Sequence, residues 1–170
     1  MPLADDLLGH ATRLLANTEC NEADYRRSVS ASYYATFHLI SAAVAAKACP
    51  PGPPGLRGKW QRTLDHRAMK NGMAYFLTPE SIRKFSADTV LPCIFSPDLS
   101  EIAKAFGELQ EARNLADYDI VDSDGTVHIL WASDCLEKAK HIFEAWRRVR
   151  ETDEAKLFLV CLIPGTKWAR

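Results

Sequence analysis

An arginine near the end of the fourth long predicted helix occupies a position where the seven-residue spacing of that helix predicts an apolar residue. Arg113 follows Phe106 by seven residues, and Phe106 follows Leu99 by seven, so the three side chains share one helical face. A guanidinium keeps its charge in proteins and needs a partner when it faces a core or a cleft. Asp117, one helical turn later, is the nearest candidate, and Tyr118 comes next.

The Arg113–Asp117 pair has two interpretations. The first is structural: an ion pair within the bundle, or an arginine that reaches solvent near the end of its helix. The second is a cationic site in a cleft, in which Asp117 orients the guanidinium and Tyr118 lies beside it. Spacing alone leaves both interpretations open.

The second predicted helix supplies another set of polar side chains. No Lys, Arg, Asp or Glu occurs between Ser28 and Ala46, yet the stretch contains Tyr33, Tyr34 and His38. These are interpreted either as core residues bonded to neighbouring helices or as part of a site. The stretch approaches the ~20 residues of a membrane span. Its many hydroxyl groups would lack partners in hydrocarbon, so we predict a buried helix and no membrane partner.

The spacing of the candidate residues supports neither a metal site, nor a phosphate-binding loop, nor a serine nucleophile. The five histidines form no H-x-x-x-H pair and have no cysteine at ligand spacing. The segment 52–59 lacks the first glycine, the Ser or Thr and the preceding strand of a phosphate loop. The segment 81–84 matches S-x-x-K without the other motifs of that enzyme class. We therefore predict no metal site and no cofactor.

Composition bounds the class of protein. The chain has 170 residues and is 47% hydrophobic, which suits one helical domain over residues 1–170. Twenty-one Lys and Arg against 22 Asp and Glu exclude a histone-like cation, an acidic tail protein and a disordered chain. A local basic cluster can still bind phosphate in such a protein. Arg26 and Arg27, at the start of the second helix, are interpreted as a solvated patch.

The cysteines indicate a reducing compartment. They are odd in number, far apart and without a C-x-x-C pair: Cys20, Cys49, Cys93, Cys135 and Cys161. All but Cys49 lie in or beside apolar segments, which predicts reduced and mostly buried thiols in a cytoplasmic protein. The first residues, Met1 to Asp6, lack the basic start and apolar run of a signal peptide.

Proline and glycine divide the chain into helical segments, and no segment alternates with period two. Apolar spacing predicts five longer helices, over about 3–16, 22–46, 58–76, 97–118 and 128–150. Short helices are expected after Thr78 and over about 153–163, and a flexible Pro/Gly loop over about 49–57. The helices begin at typical N-cap residues: Asn21, Thr78, Ser96 and Thr152. The fold class is therefore all-α, an up-and-down bundle of about five helices.

Surplus apolar surface predicts a homodimer. The helix over 97–118 carries a heptad row, and Leu157–Ile163 is apolar all round on a short terminal helix. A monomer would have to expose part of that surface.

Two segments together resemble the HEPN-domain family. Residues 27–38, which include Tyr33-Tyr34-Ala35-Thr36-Phe37-His38, resemble the A-Y-Y-A-x-F-H signature of its second helix. Residues 113–118, Arg-Asn-Leu-Ala-Asp-Tyr, resemble the R-x-x-A-D-Y that closes the fourth helix in a subgroup of small bacterial and archaeal members. His66 and Phe76 fall where that subgroup often has His and Phe. The resemblance spans roughly residues 20–146.

The resemblance implies a helical bundle that commonly dimerises. Many members are metal-independent endoribonucleases, toxins or phage-defence components, or are paired with a nucleotidyltransferase. Their usual active site is R-x(4–6)-H at the dimer cleft. Here no histidine follows Arg113 within six residues, and Asp117 and Tyr118 stand in its place. Without an imidazole at that position, RNA hydrolysis lacks its most natural proton-transfer group.

We therefore expect a HEPN-type module that binds RNA or a nucleotide in a toxin–antitoxin, phage-defence or stress-response system, with weak or absent ribonuclease activity. Arg113, Asp117 and Tyr118 are the candidate catalytic residues. The RNA- or nucleotide-binding candidates are Arg113, Tyr118, Tyr34, His38 and His66. The expected protein partners are a second copy and an antitoxin or nucleotidyltransferase-type protein.

Two other functions are consistent with the same sequence features. One is an active metal-independent endoribonuclease, in which Arg113 works with a histidine from elsewhere, such as His38 or His66. The other is a purely structural, partner-binding helical bundle with Arg113–Asp117 as a buried ion pair.

Overall fold

The computed structural model describes residues 2–49, 55–89, 96–119 and 127–163, and every element within those ranges is helical. The all-α prediction is confirmed for this part of the chain. The expected turn at 122–125, Cys93 and most of the Pro/Gly loop lie outside the described residues. None of the described helices is long and apolar enough to cross a bilayer.

Eight α-helices follow one another in the described ranges. They are Pro2–Ala16 (α1), Glu22–Ala48 (α2), Leu56–Thr63 (α3), His66–Met73 (α4), Pro79–Thr89 (α5), Pro97–Tyr118 (α6), Ile129–Val149 (α7) and Asp153–Cys161 (α8). A short 3₁₀ turn, Ala74–Phe76, follows α4.

The predicted helix over 58–76 is wrong, because that segment is divided into α3, α4 and the 3₁₀ turn. Leu64 adopts an extended conformation (φ −79°, ψ 121°), which ends α3. Asp65 then begins α4 as an N-cap, its carboxylate accepting a hydrogen bond from the Ala68 N–H at 2.7 Å. The count of about five helices therefore does not describe this region.

The predicted N-caps are confirmed. Asn21 Oδ1 accepts from the Ala23 N–H at 2.9 Å, and Asp24 accepts from the Asn21 N–H at 3.1 Å, so two backbone N–H groups at the start of α2 are satisfied. The hydroxyls of the other three caps each accept from a backbone N–H two or three residues later: Thr78, Ser96 and Thr152.

The chain packs into two compact units, each built from two stretches of sequence. The first unit comprises Met1–Leu39 and Ala105–Phe143, and the second comprises Ile40–Lys104 and Glu144–Arg170. Helices α2, α6 and α7 contribute residues to both units.

In the first unit, α1 packs on α2 and α7 through small residues. Two clusters make these contacts: Ala4 with Ala35 and Phe143, and Ala11 with Ala31 and Leu136. The buried Ser28 hydroxyl donates to the Ala11 carbonyl at 3.1 Å, which fixes α1 along the start of α2. Tyr33 is fully buried, with its ring 5.5 Å from that of Phe106, so the predicted core position of Tyr33 is confirmed.

In the second unit, α8 packs one face against its neighbours. The Phe158 ring lies 4.9 Å from that of Phe76 and 6.5 Å from that of Trp146. At Gly72 of α4, an added Cβ would lie only 2.6 Å from the Cys161 carbonyl oxygen, so the two backbones nearly touch. Cys49 is buried and 5% exposed, contrary to its expected position outside the apolar surroundings.

Most of the apolar side chains that motivated the homodimer are buried within a single chain, although Val160 is 36% exposed. In α8 and at its C-cap, four side chains are at most 4% exposed: Phe158, Leu159, Cys161 and Leu162. The apolar rows of α6 are 0% exposed at each of four positions: Leu99, Ile102, Phe106 and Leu109. One chain therefore covers most of this apolar surface by itself, and the dimer stays a prediction.

Candidate functional site

Arg113, near the end of α6, is held by side chains from two helices. Its Nη2 donates to the Tyr34 hydroxyl of α2 at 2.6 Å, and its Nη1 donates to Asn114 Oδ1 at 3.3 Å. Its Nε lies 2.6 Å from Asp117 Oδ2. That buried Nε makes no directed hydrogen bond among the described residues, so the Asp117 contact is an ion pair rather than a linear hydrogen bond.

Two tyrosine rings contact the same guanidinium. Arg113 Cζ lies 5.3 Å from the Tyr34 ring centroid and 5.2 Å from that of Tyr118, within the range of a cation–π interaction. Tyr118 is 69% exposed, so one of these two rings is available to solvent. Burial alone would lower the pKa of Arg113, but the neighbouring Tyr34 and Asp117 outweigh it and raise the pKa.

Asp117 connects this cluster to an open cleft. Its Oδ2 faces Arg113, and its Oδ1 accepts a short hydrogen bond from the Ser30 hydroxyl of α2. The Asp117 side chain is 28% exposed, against 15% for Arg113. The pair is therefore accessible to water on its carboxylate side.

The cleft has a volume of about 430 Å³ and lies between α1, α2 and the end of α6. Seven residues from these helices line it: His10, Ala23, Arg26, Arg27, Ser30, Ala116 and Asp117. Arg27 and His10 are exposed and form no hydrogen bond or ion pair with another described residue. Their donors are therefore available to a ligand in the cleft.

Arg26 is not part of a solvated patch, contrary to expectation. Its side chain is 17% exposed and its Nε lies 2.8 Å from Glu22 Oε1. Its Nη1 donates to three carbonyl oxygens at the end of α6: those of Leu115 (3.3 Å), Ala116 (3.1 Å) and Asp119 (2.7 Å). The guanidinium thus caps the carbonyl end of α6, where a positive charge is favourable.

The structure brings four of the six predicted site residues together: Arg113, Asp117, Tyr118 and Tyr34. His38 lies one turn after Tyr34 on α2, with its ring edge-on to Phe37 at 5.6 Å, and burial lowers its pKa. His66 is the first residue of α4 and belongs to the second unit. Neither histidine is among the residues that line the cleft.

Sequence reasoning missed His10 as a site residue. It follows no motif, and it reaches the cleft because α1 is fixed to α2 by the Ser28–Ala11 hydrogen bond. The exposed Arg27 was not predicted as a site residue either. It lies within the segment that resembles the HEPN second helix, and this position was the signal that could have identified it.

Within the described part of the chain, no group of three or more His, Cys, Asp or Glu residues is placed to hold a metal ion. The described cysteines are free thiols.

No family model matches the chain, and no curated protein or solved structure is significantly similar to it.

Proposed function

We propose that the chain is a HEPN-type RNA- or nucleotide-binding module of a toxin–antitoxin, phage-defence or stress-response system, with weak or absent ribonuclease activity. One observation carries this proposal: Asp117 belongs both to the Arg113 cluster and to the lining of a cleft. Tyr34 and Tyr118 contact Arg113 in that cluster. In the cleft, the N–H donors of Arg27 and His10 are not engaged by another described residue. The two motifs that resemble the family supply all of these residues except His10, which lies on α1.

The charges in the cleft favour an anion. Arg26 is offset by Glu22, and Asp117 is offset by Arg113, which leaves the exposed Arg27 as the uncompensated charge. Protonated His10 would add a second positive charge. A guanidinium is well suited to two parallel hydrogen bonds with phosphate oxygens.

The exposed ring of Tyr118 supplies a surface for a nucleobase. Single-stranded RNA is commonly recognised by stacking of unpaired bases on aromatic side chains. The Arg113 guanidinium beneath this ring holds it in place, because its own donors are largely engaged by Tyr34, Asn114 and Asp117. In this proposal Arg27 contacts phosphate, and Arg113 positions Tyr118 and Asp117.

His10 supports a second candidate function, a metal-independent endoribonuclease. An imidazole in the cleft can take a proton from a ribose 2′-hydroxyl or give one to the leaving 5′-oxygen. It would supply the group that is missing from the six residues after Arg113. Arg27 would then stabilise the charge that develops on the phosphate.

Binding is tested with a fluorescein-labelled pool of short single-stranded RNAs of randomised sequence, followed by fluorescence anisotropy. We expect Arg27→Ala to weaken binding about tenfold, the scale of one charge-assisted phosphate contact. Arg67→Ala, which removes an exposed charge from α4 of the second unit, is the matched control and should leave binding unchanged. Absence of RNA and mononucleotide binding by the unaltered protein would contradict the proposal and favour a structural bundle.

Cleavage is tested by incubating the same RNA pool with the protein in a chelator and separating the products on a denaturing gel. Weak or absent cleavage is the expected result. Sustained cleavage that is lost in His10→Asn and in Arg113→Ala would establish the endoribonuclease instead.

We also propose self-association and an antitoxin or nucleotidyltransferase-type partner, on the resemblance alone. Light scattering at micromolar concentration measures the first of these, and a stable monomer would contradict it.

A further inference from the structure

We propose that the cleft recognises the ribose 2′-hydroxyl, so that the module binds RNA or ribonucleotides in preference to their deoxy counterparts. This inference rests on the proposed function and names the chemistry of its ligand. It is carried by the pairing of Ser30 with Asp117 on one wall of the cleft.

That wall presents hydrogen-bond acceptors only. A serine hydroxyl has a single proton, and Ser30 gives its proton to Asp117 Oδ1. A carboxylate has no proton to donate and about four lone-pair directions; at Asp117 the Ser30 hydroxyl occupies one of them, and Arg113 forms an ion pair with the other oxygen. A ligand that displaces water from the remaining lone pairs of Asp117 and Ser30 must therefore supply a group that carries a hydrogen.

The opposite requirement holds for the cationic residues of the same cleft. Arg27 and His10 offer N–H donors, which suit the anionic oxygens of a phosphate. A ligand that satisfies both sets carries a phosphate and a hydroxyl within one small unit. A ribonucleotide has this combination, because its 2′-hydroxyl lies close to the 3′-phosphate.

A deoxynucleotide would leave the acceptors without a donor. It would displace water from Asp117 and Ser30 without replacing the lost hydrogen bond, which is unfavourable for a charged acceptor. The 2′-hydroxyl is the group by which proteins distinguish RNA from DNA at a given position. We expect RNA to bind about tenfold more tightly than DNA, the scale of one hydrogen bond to a charged group.

The experiment compares three labelled pools of the same randomised single strands, with ribose, 2′-deoxyribose and 2′-fluororibose, by fluorescence anisotropy in a chelator. The 2′-fluoro pool retains an RNA-like sugar conformation but has no 2′ proton to donate. The inference predicts that the ribose pool binds about tenfold more tightly than both of the others. Equal affinity for all three pools would overturn the inference and leave the proposed function standing. Absence of binding to every pool and to mononucleotides would overturn both.

Two variants separate recognition from folding. Ser30→Ala and Asp117→Asn should each reduce the preference for ribose over 2′-fluororibose to about threefold or less, whatever their effect on the overall affinity for the pools. The matched controls are Ser133→Ala on α7 and Asp6→Asn on α1, which lie outside the cleft and should leave the preference unchanged. A thermal melt establishes that each variant is folded. If both cleft variants are folded and keep the full preference, Asp117 and Ser30 do not read the ribose.

Discussion

Substitution of Arg113 by alanine distinguishes a water-accessible site from an ion pair buried in the core. The change removes the ion pair with Asp117, the hydrogen bond to the Tyr34 hydroxyl and the two ring contacts. Asp117 keeps the hydrogen bond from Ser30 and remains open to water in the cleft, since its side chain is 28% exposed.

The expected loss of stability follows from these contacts. A partly exposed ion pair contributes about 0.5 kcal/mol, a hydrogen bond with one charged partner about 1.5 kcal/mol, and cation–π contacts about 0.5 kcal/mol each at exposed sites. These terms add to about 3 kcal/mol for Arg113→Ala, and Tyr34→Phe should account for about 1 kcal/mol of it. If the ion pair were excluded from water, the pair alone would contribute about 3–5 kcal/mol to the loss in place of about 0.5 kcal/mol.

The assay is urea unfolding followed by circular dichroism, applied to Arg113→Ala, Asp117→Ala and the double variant. The double-mutant cycle isolates the pair, and we expect a coupling free energy of about 1 kcal/mol or less. A coupling of about 3 kcal/mol or more would refute the reasoning, because it would mean that the carboxylate is shielded from water.

Three further predictions concern the core and the pH dependence. Tyr33→Ala should lower the free energy of unfolding by about 3–5 kcal/mol in urea titrations, because Tyr33 is 0% exposed. Gly72→Ala should destabilise the protein by about 1–3 kcal/mol, because its Cβ would lie 2.6 Å from the backbone of α8. Gly107→Ala has open space at its Cβ and should stabilise the protein by about 0.5–1 kcal/mol. Thermal melts of the two variants test this difference. Burial lowers the pKa of His38 below its usual 6.5, so its contribution to stability is present above pH 6.5 and is lost as the pH falls through the folded-state value. His38→Gln should therefore flatten the acid side of the profile of unfolding free energy against pH, measured by urea titration.

Local signals were enough to predict the long helices. The bounds of α6 match the prediction from Ser96-Pro97-Asp98 at its start, and Asn21 and Thr152 cap α2 and α8 through their own side chains. Such caps depend on atoms within a few residues of each other, so the sequence displays them directly. The heptad row of α6 likewise predicted which of its residues are buried, Phe106 among them.

Features that depend on distant contacts were not predicted. Asp65 is an N-cap residue by type, but the apolar spacing on both sides of it favoured a continuous helix. His10 gains a place in the cleft only through the packing of α1 on α2, and nothing in its neighbours along the chain indicates that position. The Arg113 cluster was predicted because a charge at an apolar position is visible in the sequence, whereas its contact with Tyr34 is not.

The cap that Arg26 places on α6 has a consequence for the order in which the protein is made. Arg26 is synthesised 89 to 93 residues before the carbonyl groups that it binds, so these hydrogen bonds cannot form until that intervening segment has been made. Contacts of such long range form slowly, because a large loop must close before they contribute. The hydrogen bonds that fix the last turn of α6, which contains Asp117 and Tyr118, cannot be complete before Asp119 has been synthesised. A proteolytic fragment that lacks Arg26, or that ends before residue 115, can still contain Arg113. It would lack the hydrogen bonds that fix the end of α6 beside the cleft.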